Sequence, residues 1–152
     1  MNIGERVENF ELLDQNGEPR SLESLTALGP VVIFFYPLAG SSGCTKEACH
    51  FRDLGQEFAD AGASVIGISR DTPAKQLAFA KANGFSFPLL SDVDGEVSDQ
   101  FEVRRRFLAK ALPVKRATFV IDKDRVLRHQ ITSETNMDVH ANDALKALAA
   151  LV

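Results

Sequence analysis

The sequence predicts an α/β fold, a central mixed β-sheet flanked by helices. Three observations carry this. Val31–Tyr36, Ser64–Ile68 and Ala117–Ile121 are short, continuous apolar runs rich in β-branched and aromatic residues, the pattern of strands buried on both faces. Segments with helical apolar spacing lie between and after them. Strand–helix–strand alternation then implies a largely parallel sheet with helices on both faces. A closing hairpin adds an antiparallel part, because the polar turn Asp122–Arg125 joins Ala117–Ile121 to the alternating stretch Val126–Ile131.

Taken in chain order, Val7–Leu13 is a weak strand closed by the turn Asp14-Gln15-Asn16-Gly17. Val31–Tyr36 is the strongest strand, bounded by Gly29-Pro30 and Pro37. A helix is expected from Gly43 to about Gly62, with Phe51, Leu54, Phe58 and Ala61 on one face and Gly62 as its C-terminal cap. Pro73–Asn83 is a second helix, opened by proline and closed by Gly84. Val93–Phe101 reads as a short helix. Asp138–Leu151 is the last, with Ala141, Leu145, Leu148 and Ala149 or Val152 as its apolar stripe.

The chain of 152 residues has no repeat and no flexible linker, so one domain over residues 1–152 is expected. The net charge of −4 argues against a nucleic-acid binder. No apolar run approaches the length of a membrane span, and no basic, then apolar leader follows Met1. The expectation is a cytoplasmic protein without a membrane partner. In that compartment two thiols, Cys44 and Cys49, are more often reactive or metal-binding than structural.

The informative stretch runs from Phe35 to Cys49. A buried strand ends at Pro37, a loop of small residues follows, and a helix begins near Gly43. Sites in such sheets lie beyond the carboxyl ends of the strands. Cys44 then falls in the first helical turn, where free N–H groups and the positive end of the dipole favour an anion. That favours the thiolate, the nucleophilic form of cysteine.

Pro37, Ser41 and Cys44 reproduce a Pro-x-x-x-Thr/Ser-x-x-Cys signature, and Gly43-Cys44-Thr45-Lys46-Glu47-Ala48-Cys49 extends it. On these residues the chain resembles the peroxiredoxins, and among them the bacterioferritin comigratory, or Q-type, group. The likeness extends through Phe10–Gly17, Val31–Asp53, Ala63–Pro73, Phe87–Gly95 and Arg116–Asp124. It implies a thioredoxin-like fold and reduction of hydrogen peroxide and alkyl hydroperoxides by Cys44. Cys49 is similar to the resolving cysteine that closes an intramolecular disulfide, and a thioredoxin-like dithiol would restore both thiols. Arg116 matches the family's arginine, suited to the task as a permanent cation with several donors. Ser41 supplies a hydroxyl, Pro37 shields the sulfur, and the N–H groups of Gly43 and Cys44 complete the donor set. No metal, haem or flavin is implied, since sulfur carries the redox change; the group suggests a monomer or weak dimer. Ser41 stands where threonine is commoner and Ser42 where proline is usual. Leu38-Ala39-Gly40 replaces more polar residues.

Other readings compete. Free cysteines are often simply buried, and Cys44, Cys49 and His50 offer two thiolates and an imidazole to a metal, without the usual ligand spacing. A thioredoxin-like thiol–disulfide oxidoreductase would want two residues between its cysteines, where four stand here. A non-enzymatic redox sensor or copper-binding module needs no turnover. His50, His129 and His140 read as structural or solvated. Arg104, Arg105, Arg106, Lys110, Lys115 and Arg116 form a basic stretch that, Arg116 apart, reads as a solvated face. Asp71 and Asp92 follow strands and read as loop caps.

Overall fold

Seven strands form one mixed sheet in a computed structural model that describes residues 1–105 and 113–151. Arg106, Lys110 and Val152 lie outside the described residues. The order of elements is β1 (Glu11–Leu13), β2 (Pro19–Ser21), α1 (Leu22–Thr26), β3 (Val31–Phe35), α2 (Ser42–Asp53), α3 (Gly55–Asp60) and β4 (Ser64–Ser69). There follow α4 (Pro73–Asn83), β5 (Leu89–Ser91), α5 (Glu96–Gln100), β6 (Ala117–Ile121), β7 (Leu127–Thr132) and α6 (Asp138–Ala149).

Across the sheet the strands run β2-β1-β5-β4-β3-β6-β7. Only β3–β4 and β4–β5 pair in parallel; the other pairings are antiparallel. The mixed sheet expected is found, with a smaller parallel part than strand–helix alternation implied. β6 enters the sheet antiparallel to β3, and β7 pairs antiparallel with β6 at the edge.

β3 divides two cores, as a strand with period-two side chains must. Val31, Ile33 and Phe35 face one, with Leu22 and Leu25 of α1, Val97 of α5 and Phe119 of β6. Val32, Phe34 and Tyr36 face the other, with Cys44, Phe51, Phe58, Phe79 and Ala141 from α2, α3, α4 and α6. Phe34 stacks on Phe51 with ring centroids 4.5 Å apart, which seats the C-terminal half of α2 on the sheet.

The single helix expected from Gly43 to Gly62 is two. Leu54 leaves the helical region (φ −95°, ψ 14°) and caps α3, just before Gly55, a weak helix former. The expected helix at 93–101 shortens to α5, and the weak strand at 7–13 to β1. Gly84 does cap α4 in the left-handed region (φ 67°). The two hairpin turns share one device. Asp14 accepts from the N–H groups of Asn16 and Glu18 and from Arg20. Asp122 does the same with Asp124, Val126 and Arg128.

Candidate active site

The site lies at the carboxyl end of β3. Tyr36 and Pro37 are buried, and the chain then runs through Leu38-Ala39-Gly40 into α2. Asp71 ties this loop down, accepting from the Ala39 N–H at 2.9 Å and the Ser69 hydroxyl at 2.7 Å. Asp92 caps α5 through the N–H groups of Val97 and Ser98. Ser41 is the N-cap of α2, one residue earlier than expected: its backbone is extended, and its Oγ accepts from the Cys44 N–H at 3.4 Å. The Cys44 N–H is thus engaged by the cap rather than open to a ligand. Cys44 sits in the first turn of α2, fully buried and free of any disulfide.

Strand register supplies the cation. Phe35 pairs with Ala117 in the antiparallel β3–β6 ladder, so Arg116 arrives beside the start of α2. Its Nη2 donates to the Cys44 Sγ at 3.4 Å, and its Nη1 to the Glu47 Oε1 at 3.0 Å. Gly43 makes room: a Cβ there would stand 3.2 Å from the same Nη2. Burial works against the Arg116 charge, but Glu47 and Cys44 outweigh it and hold the group above the usual arginine value.

Two residues of this cluster were not read as site residues from sequence: Glu47 was not singled out, and His140 was read as structural or solvated. Glu47 is completely buried, and burial pushes its carboxyl up to about 8 although Arg116 opposes the shift. One signal was available, since positions three apart share a helix face and Glu47 is three beyond Cys44. His140 is also completely buried, not solvated. One ring nitrogen contacts the Thr118 hydroxyl at 2.8 Å and the other the Ser133 carbonyl at 2.9 Å. Burial lowers its pKa. Nothing local marks it, because its neighbours come from β6 and the loop before α6.

Cys44, Ser41 and Arg116 therefore meet, with Pro37 buried at the strand end. Cys49 is half-buried on the same helix and lies against α4, its Sγ 3.8 Å from Asn83 Oδ1. His50 contacts Asn142 at 3.0 Å. Among the described residues, no group of three or more His, Cys, Asp or Glu side chains is placed to hold a metal. No helix among them is long and apolar enough to cross a membrane.

A thioredoxin-like sheet that presents a buried thiol to a guanidinium defines a class, the thiol peroxidases. Residues 3–130 match the AhpC/TSA family. The crystal structure of the peroxidoxin BcpB from Mycobacterium tuberculosis superposes with a TM-score of 0.95 at 55% identity, covering 100% of this chain and 99% of that one. Peroxiredoxin Q of Populus jackii is 38% identical over 99% of this chain and 70% of its own. The bacterioferritin comigratory protein of Xanthomonas campestris gives a TM-score of 0.84 at 31% identity, covering 93% and 91%. The chain belongs to the AhpC/TSA family, with the peroxiredoxins of the Q type.

Proposed function

We propose that this peroxidase reduces hydrogen peroxide and alkyl hydroperoxides with Cys44, resolves the product with Cys49, and is recycled by thioredoxin or a similar dithiol. The observation that carries the reading is the Arg116 Nη2 lying 3.4 Å from the Cys44 sulfur at a helix N-terminus. A buried guanidinium there stabilises a thiolate and the negative charge that develops on the peroxide oxygens. The Xanthomonas relative has alkyl peroxide reduction activity, which supports the substrate class.

In the reaction the Cys44 thiolate attacks one peroxide oxygen. The S–O bond forms as the O–O bond breaks, and the second oxygen leaves with the bonding pair. It takes a proton to become water or an alcohol, and sulfur is left as a sulfenic acid. The Cys49 thiolate then attacks that sulfur, the disulfide forms, and the hydroxyl leaves as water after taking a proton. A dithiol reductant exchanges with the disulfide, returns both thiols and departs oxidised. Ser41 holds the first turn in place, Tyr36 packs in the same core as Cys44, and the burial of Pro37 beside Tyr36 supports a shielding role for it.

Mutation of each thiol tests the assignment. Cys44→Ser abolishes peroxide consumption, because a hydroxyl is a far weaker nucleophile at neutral pH. Cys49→Ser gives one fast turnover and stalls as sulfenic acid, read by stopped-flow and mass spectrometry. Sustained thioredoxin-coupled turnover in Cys44→Ser would overturn the roles.

A further inference from the structure

A chain of buried hydrogen bonds ends on the loop that carries Pro37 and Ser41. Tyr36, Ser69 and Gln76 are completely buried, and Asp71 is nearly so. The Leu90 carbonyl of β5 can only accept, so the Gln76 atom 2.9 Å from it is the amide nitrogen. That sets the direction of every other bond. The Gln76 Oε1 accepts from the Tyr36 hydroxyl, and its Nε2 also donates to the Ser69 Oγ at 2.8 Å. The Asp71 N–H donates to the same Ser69 Oγ at 3.2 Å. The Ser69 hydroxyl hydrogen is left for the Asp71 Oδ2 at 2.7 Å. That Oδ2 also accepts the Ala39 N–H at 2.9 Å, where the chain of bonds reaches the loop.

The Ala39 contact bears on the thiol through the turn it holds. Leu38–Ser41 is closed by the Ser41 N–H on the Leu38 carbonyl at 3.2 Å, with Gly40 in the left-handed region (φ 86°). Ala39 is a central residue of this turn, whose closing bond does not use its N–H; Asp71 supplies the partner. Ser41 then leads directly into α2. Its Oγ caps the Cys44 N–H at 3.4 Å, and its carbonyl accepts from the Thr45 N–H at 2.9 Å and the Thr45 hydroxyl at 2.7 Å. A shift of the turn therefore shifts the first turn of α2 and the sulfur with it. On the other side of Pro37, Tyr36 is held by Gln76 of α4. The chain of bonds thus grips the loop on both sides of Pro37.

Resting on the reading of Cys44 as the peroxide-reducing thiol, we propose that Asp71 is a positioning residue of the peroxide step: it holds the Leu38–Ser41 turn through the Ala39 N–H, and Ser69, Gln76 and Tyr36 aim its carboxylate. Arg116 brings charge to the sulfur from β6, and Asp71 brings position from the end of β4. Attack on the peroxide needs the sulfur and its donors held in one geometry. The resolving step does not, because residues five apart on a regular helix are too distant for a disulfide and α2 must open first. Asp71 therefore serves the first step and not the second, and that division separates its role from a general contribution to folding.

The test is rapid-quench mass spectrometry of the reduced, full-length chain with hydrogen peroxide, which counts the thiol, sulfenic acid and disulfide forms and so separates the two steps. Asp71→Ala lowers the second-order rate of sulfenic acid formation by about tenfold, while conversion of sulfenic acid to disulfide is unchanged or faster. Asp71→Asn keeps an oxygen for Ala39 and Ser69 and restores the peroxide rate to within about threefold of the wild type. Ser69→Ala leaves the carboxylate in place but unaimed and lowers the peroxide rate several-fold; combined with Asp71→Ala it adds no further loss. Hydrogen exchange read by NMR reports on the turn directly: the Ala39 amide, protected in the wild type, exchanges faster in both alanine variants. Should Asp71→Ala fail to fold, Ser69→Ala still decides, since a faster Ala39 amide with an unchanged peroxide rate overturns the proposal. So does an Asp71→Ala peroxide rate within about twofold of the wild type, an equal fall of both steps, an Asp71→Asn no faster than Asp71→Ala, or additive losses in the double variant. A wild type that forms no sulfenic acid at Cys44 overturns the reading of Cys44 first and this one with it.

Discussion

Oxidation is the perturbation with the largest structural consequence. Cys44 and Cys49 lie five residues apart on α2. Five residues of regular helix give about 7.5 Å of rise and about 140° of net rotation, which at a radius of about 2.3 Å separates the Cα atoms by about 8.7 Å. A disulfide usually spans about 4.4–6.8 Å. The helix must therefore open over roughly residues 42–49 before the bond closes. Opening is limited at its far end, because Phe51 stacks on Phe34 at 4.5 Å and on Phe58 at 5.6 Å. Its near end is held by the Ser41 cap and by the Arg116 contacts to Cys44 and Glu47. A segment closed by about 3 kcal/mol exchanges its amides about a hundredfold more slowly than free chain. Forming the disulfide should remove about that much protection from the amides of Thr45 to Phe51, with a loss of far-ultraviolet helical signal. Hydrogen exchange of the reduced and oxidised chains, the oxidised one verified by mass spectrometry as an intramolecular disulfide, is the assay. Equal protection of this segment in both states would refute the argument.

Three further outcomes follow from the geometry. Arg116→Met should shift the pH–rate profile for peroxide to higher pH and also lower its plateau by at least about tenfold, since the guanidinium stabilises both thiolate and transition state; an unchanged plateau would confine Arg116 to forming the thiolate. Gly43→Ala places a Cβ 3.2 Å from Arg116 Nη2, so peroxide reactivity should fall several-fold while thermal stability, by calorimetry, changes by under about 1 kcal/mol. Burial pushes Asp14 and Asp122 up, but Arg20, Arg128 and the turn N–H groups outweigh it and hold both below the usual carboxylate value. Their contribution is present above about pH 4 and lost as pH falls through the folded-state values. Asp122→Asn should therefore cost about 1–2 kcal/mol at neutral pH in urea melts and flatten the acid limb of stability.

The parts of the molecule that were legible in the sequence are those whose signal is local. Val31–Tyr36 announces a doubly buried strand, and Pro73 with Gly84 brackets α4 by local chemistry alone. β2 and β5 have three residues each, too few for any period to show, and Pro19 disguises the first of them. The break at Leu54 was hidden because Phe51 and Phe58 keep helical spacing across it and face the same core. In the site, Cys44 is readable as a first-turn residue, whereas Ser41 was read only as a hydroxyl of the family signature and its role as the cap came from the structure. Arg116 was found through a family signature and not through physics, since only the β3–β6 register brings it to α2. His140 reaches the cluster from α6, and no local pattern signals such a meeting.

That same register has a bearing on how the chain acquires its reactivity. The partners of Arg116 lie 69 and 72 residues away in sequence, at Glu47 and Cys44. Contacts of such separation form late, after the entropy of closing a long loop has been overcome. A nascent or partly folded chain can close the Ser41 cap of α2 from local residues, yet its thiol has no guanidinium until β6 docks on β3. The sulfur therefore gains its charged partner only with the completed centre of the sheet. During refolding, the onset of fast peroxide consumption marks the pairing of two central strands, and it should lag behind the helical signal from α2.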